Sequence, residues 1–171
     1  FFYQVVQMGH PSDPSGQRLI HEFLNDSVIL DIRKKTARLF PEQAEFQKDL
    51  VRAFKYYRYY FPEDTLPVIY TCISGFNESV FTDGTVIGVS LDKYTGSDCA
   101  YYPLLGFTNY KKRKMIPEMI PSDVMYTWGM ARFPLSNEAT TLLDHMVHEG
   151  KLLYLCDALL PEVADSLITG F

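Results

Sequence analysis

Hydrophobic positions recur along this chain with two different periods, and the changes between them mark out its elements. His10 to Gly16 holds two prolines and one glycine within seven residues and is expected to be a loop. From Gln17 to Phe40 the residues Leu19, Ile20, Phe23 and Leu24 repeat at helical spacing, and a second helical stretch is expected over Val28 to Leu39. Pro41 opens a clearer helix, in which Phe46, Leu50, Phe54, Tyr57 and Phe61 form one buried face. Its charges suit the helix dipole, with Glu42 and Glu45 near the positive end and Lys55 and Arg58 near the negative end.

Pro62 to Pro67 ends that helix and the pattern changes. Val68 to Ile73 is β-branched and aromatic with little polar alternation, which predicts a buried strand. Val80-Phe81-Thr82, then Asp83-Gly84, then Thr85 to Leu91 reads as a hairpin. Asp-Gly suits the positive φ angles of a type I′ turn. At least three neighbouring strands are expected. Beyond Gly96, helices are expected over Asn109 to Met115 and over Ser122 to Arg132, the latter capped by Ser122. The last helix is expected from about Glu138 to Leu159, capped by Asn137 and stopped by Pro161. It is apolar almost all the way round, which places it in the core, with the hairpin nearby.

Composition narrows the classes. With 171 residues, the chain is expected to form a single domain, or the ordered part of a larger one. Its 16 basic and 21 acidic side chains disfavour a nucleic-acid binder, because such affinity rests on Lys and Arg neutralising phosphates. No apolar run is long enough to span a membrane. Three widely spaced cysteines make neither a disulfide scaffold nor a zinc knuckle, and Cys72 and Cys156 read as free buried thiols. The aromatic run Tyr56 to Phe61 reads as packing, the basic run Lys111 to Lys114 as a solvated face, and the sequons at Asn25 and Asn77 as chance. The start at Phe1 without Met, and the end at Phe171 just after a strong helix, are expected to be trimmed ends.

The last helix carries the candidate chemistry. Thr141, His145, His148, Glu149, Leu152 and Cys156 fall on one stripe at 100° per residue. Imidazoles and a carboxylate on a buried helix cost free energy unless paired or bound. One reading is local pairing, His145 with Glu149 and Asp144 with His148. The other is a zinc hydrolase: His148-Glu149 reproduces the first half of a zincin helix, with His148 as ligand, Glu149 as catalytic base and His145 as a further metal candidate. The second half fails, because Leu152 stands where the next imidazole belongs.

Several blocks together resemble the gliding-motility lipoprotein GldB family. They are Phe61-Pro62; Leu66 to Asn77; Leu91-Asp92-Lys93-Tyr94-Thr95-Gly96; Tyr101-Tyr102-Pro103; Leu142 to Tyr154; Asp157 to Pro161; and Asp165 to Phe171. The resemblance implies a cell-envelope protein, periplasmic or on the outer membrane, with its lipid anchor upstream. Because the family's polypeptide is longer, it also implies truncation at both ends. It further implies distant kinship to zincin peptidases, whose ligands are replaced here around Glu149-Gly150-Lys151. The expected fold is α+β and zincin-like, with helices flanking a small mixed sheet. The expected role is non-catalytic, in gliding motility or related surface or secretion machinery through protein partners in the envelope, with no cofactor; the alternative is a zincin-like metallopeptidase or other hydrolase using His148, Glu149 and zinc.

Overall fold

The computed structural model describes residues 5–41, 45–138 and 140–170. Helix α1 covers Pro14–Asn25 and α2 covers Ser27–Leu39. The first begins inside the expected loop, because Pro14 sits in the first turn, where a missing N–H is harmless. Asp26 separates the two helices and caps α2, its Oδ1 accepting from the N–H groups of Val28 (2.8 Å) and Ile29 (3.2 Å). Helix α3, Glu45–Tyr60, buries Phe46, Leu50, Ala53, Phe54 and Tyr57, the face that its periodicity predicts. The dipole role expected of Glu42 lies outside the described residues.

The sheet has three strands in the order β1-β3-β2: β1 (Val68–Cys72), β2 (Val80–Thr82) and β3 (Val86–Ser90). β1 runs parallel to β3 and β2 antiparallel to it. The buried strand is β3, where Ile87 and Val89 are fully inaccessible, whereas β1 lies at the edge with Val68 and Tyr70 largely exposed. A short apolar run reads alike at an edge and in the middle, which is why the expectation for β1 fails. The hairpin is present, but its turn is not type I′, since Gly84 has φ +91° while Asp83 stays in the ordinary negative region. The Asp83 side chain closes it instead, Oδ1 accepting from the N–H groups of Thr85 (2.8 Å) and Val86 (2.9 Å). Gly88 of β3 is required by packing: an added Cβ would lie 2.1 Å from the Phe81 ring.

Past the sheet come a 3₁₀ turn, Leu91–Tyr94, and two short helices, α4 (Tyr101–Leu104) and α5 (Asn109–Arg113). Then follow α6 (Ile120–Arg132), α7 (Leu142–Leu159) and α8 (Asp165–Thr169). α6 starts two residues before the expected position, so Ser122 is no cap, and its buried Oγ has no partner among the described residues. It is α6 that packs on β2, with α7 behind it. The main core gathers α3, β3, α6 and the second half of α7 around Trp128, whose ring meets Phe54 and Tyr57 edge-on at 6.1 and 5.9 Å. A smaller core of Ile32, Phe76, Cys99, Tyr102 and Met115 lies under α2. The architecture is α+β, with helices flanking a small mixed sheet.

Candidate functional site

Helix α7 begins with a reciprocal cap. Thr141 Oγ1 accepts from the Asp144 N–H at 3.1 Å while Asp144 Oδ2 accepts from the Thr141 N–H at 2.9 Å. The Thr141 hydroxyl, which donates to the same Oδ2 at 2.7 Å, and then the Thr141 N–H hold the Asp144 carboxyl below its usual range. The helix therefore starts at Leu142 rather than Glu138, and Asn137 is not its cap.

Burial along α7 changes halfway. Leu152, Cys156 and Leu159 enter the core, and Leu152 reaches within 3.2 Å of where a Gly129 Cβ would stand. The first half does not enter: Leu142 is 76% exposed, Leu143 67%, Met146 62% and Val147 47%. The all-round apolar pattern predicts burial throughout, and the structure corrects it. Only the second half finds neighbours to cover it.

The candidate residues fall at this boundary. His145 is exposed, His148 is half-buried, and neither imidazole makes a hydrogen bond among the described residues. The local pairs expected for them are absent. Asp144 serves the cap, and Glu149 Oε2 accepts from the Tyr126 hydroxyl at 2.6 Å. Burial, then the neighbouring Glu149 carboxylate, push that hydroxyl up to about 12. His148 instead lines an open groove of ≈ 980 Å³ with Phe61, Phe133, Leu143, Val147 and Leu155. Glu149 is engaged by Tyr126, and the position one turn beyond His148 is Leu152, packed in the core. Among the described residues no three His, Cys, Asp or Glu side chains converge on one point.

A second polar constellation follows β3. The buried Asp92 carboxylate accepts from the Phe76 N–H at 2.5 Å and the Ser74 N–H at 3.1 Å. Lys93 Nζ donates to the carbonyls of Phe76 and Asn77, both at 3.3 Å, and lies 4.3 Å from the centroid of the Phe107 ring. Together they clamp a turn in which Gly75 (φ +74°) and Phe76 (φ +65°) are both left-handed. Burial pushes the Asp92 carboxyl up and the Lys93 ammonium down. The next residue, Tyr94, donates to Asp123 Oδ2 at 2.6 Å, and burial raises the pKa of both. Tyr94, Asp123, Tyr126 and Lys93 line one cleft of ≈ 430 Å³. Both phenols donate to carboxylates, Tyr94 to Asp123 and Tyr126 to Glu149. The roles of Asp92, Lys93 and Asp123 were not legible from motif spacing; the signal was an ionic pair, Asp92-Lys93, directly after a buried strand.

The other singled-out runs have structural roles. Tyr57 of the aromatic run is core, while Tyr59 and Tyr60 stack edge-on in solvent at 5.4 Å. Lys114, at the end of the basic run, lies 5.0 Å over the ring of Tyr110. Cys72, Cys99 and Cys156 are free thiols.

The family model of gliding motility protein GldB matches residues 1–171, the full length of this chain. The chain belongs to the GldB family. No curated protein and no solved structure matches it. The blocks that carry the resemblance coincide with the parts of this GldB-family chain described above: the clamped turn after β1, the Asp92-Lys93-Tyr94 segment and helix α7. No helix among the described residues is long and apolar enough to cross a membrane.

Proposed function

We propose that this GldB-family chain is a non-catalytic cell-envelope lipoprotein, periplasmic or at the outer membrane, that serves gliding or related surface or secretion machinery, and that it works by holding a protein partner. The observation that carries the reading is the unburied apolar half of α7. Leu142, Leu143, Met146 and Val147 stand in solvent, and Leu143 and Val147 line the groove with Phe61, Phe133 and Leu155. Tyr154, 75% exposed, extends the apolar surface toward the next turns. Large contiguous apolar patches left in solvent mark interaction sites. The polar groups nearby are occupied structurally, Asp144 by the cap and Glu149 by Tyr126, which supports a holding role over a hydrolytic one.

The test is a gliding strain whose own protein of this family carries Leu143→Asp with Met146→Asp. Both side chains are exposed, so abundance and thermal midpoint should stay unchanged while colony spreading is lost. His148→Ala and Glu149→Gln should leave spreading intact. Normal spreading with the double aspartate variant, or loss of spreading with the other two at unchanged abundance, would overturn the reading.

A further inference from the structure

We propose that the outer edge of β1 accepts a fourth strand: an extended peptide segment of a partner protein, with apolar side chains that enter the groove between α3 and β1 and an acidic side chain that meets Lys55 and Arg58. This surface is separate from α7 and does not depend on the reading above.

Three observations converge on it. The first is the edge itself. The Val68 N–H donates to the Thr85 carbonyl at 3.0 Å, so strand alternation turns the backbone groups of Val68, Tyr70 and Cys72 toward β3. Those of Ile69 and Thr71 then point away from the sheet. Among the described residues no hydrogen bond reaches them from that side. Nothing in Val-Ile-Tyr-Thr-Cys defends the edge: it holds no proline, glycine, charge or bulge.

The second is the groove beside it, ≈ 680 Å³, walled by Phe46, Leu50, Val51 and Phe54 of α3 and by Leu66 and Ile69. Val51 is 57% exposed there. The third is charge. Lys48 is paired with Glu45 and Arg52 with Glu162, whereas Lys55 and Arg58, which line the same groove, make no ion pair among the described residues. An unpaired edge supplies main-chain affinity, and the pocket and cationic rim supply the side-chain preference, which is how strand addition recognises peptides.

The probe is a fluorescent peptide of alternating valine and threonine with one central glutamate, added to the isotope-labelled chain. Its control is the same peptide N-methylated at successive amides, which keeps the side chains but leaves neither of its edges able to donate to a sheet. In the free protein the Ile69 and Thr71 amides should exchange rapidly, and the peptide should protect them while leaving Tyr70 as it was. Reversing charge with Lys55→Glu and Arg58→Glu should weaken binding about tenfold or more. Thr71→Pro removes an outward donor but no ladder donor, and should behave like the methylated peptide. The proposal falls if the peptide does not bind at millimolar concentration or if the methylated peptide binds equally well. It also falls if charge reversal changes nothing, or if the edge is occupied by a second copy of the chain that the peptide does not displace.

Discussion

Arg132 grips Asp64 with two parallel hydrogen bonds, Nη2 to Oδ1 at 2.7 Å and Nε to Oδ2 at 3.1 Å, joining the end of α6 to the turn after α3. The buried Tyr57 donates to the same carboxylate at 2.5 Å, and its hydroxyl is pushed up to about 12 by burial first and Asp64 second. Tyr57→Phe should lower stability by about 1 kcal/mol, the net worth of one hydrogen bond. Arg132→Lys should lower it too, because an ammonium cannot reproduce the planar fork. Denaturant titration of each variant checks both, and an unchanged midpoint for Tyr57→Phe would mean that the phenol is not engaged in solution.

Asp123 gives a pH dependence of defined sign. Burial raises its folded-state pKa above the unfolded value of 3.8. Between those two values the folded chain holds a proton that the unfolded chain has lost, so rising pH removes stability there. Asp123→Asn keeps an acceptor for Tyr94 and eliminates that titration. The variant should therefore gain on the parent as pH climbs from about 4 toward neutrality, by about 1.4 kcal/mol per unit of raised pKa at most. Parallel stability curves over that range would refute the assignment.

Two glycines should respond in opposite directions. A Cβ on Gly16 would lie 2.2 Å from the His10 carbonyl, a backbone atom, so Gly16→Ala should cost about 1–3 kcal/mol. Around Gly150, in the interior of α7, there is open space within 4 Å, so Gly150→Ala should stabilise by up to about 1 kcal/mol. Thermal melts of the two variants distinguish these cases.

The two halves of α7 should differ sharply under mutation. Leu152→Ala removes a buried side chain and should cost about 2–5 kcal/mol. Leu143→Asp, on the exposed half, should stay within about 0.5 kcal/mol of the parent. A large loss at Leu143 would show that the outer turns pack against something within the chain.

Cys156 should be inert in the native state. Burial first, then Asp123, push its thiol up to about 12, so the reactive thiolate is scarce. Its alkylation by iodoacetamide should follow unfolding, while rapid labelling of the folded chain would contradict the packing of α7.

The α3 face was legible because its spacing is regular, and the strand-turn-strand passage because Asp83-Gly84 punctuates it. What could not be read is which neighbour covers each apolar run. Val68 to Cys72 and Val86 to Ser90 look alike in sequence, yet only β3 is flanked on both sides. The same ambiguity placed all of α7 in the core, when its first turns are exposed among the described residues. The candidate stripe suffered for a related reason: His145 and Glu149 have the spacing of a pair, but Tyr126 from another helix takes the carboxylate. Competition between elements distant in the chain leaves no mark in local spacing.

Gly150 stands where α7 passes from its exposed turns to its anchored ones. The outer turns thus form an arm joined to the body at the least stiff residue of its own helix. In that one unbroken helix the glycine has the most backbone freedom, so Gly150→Ala would stiffen the join between the solvent-facing turns and the core.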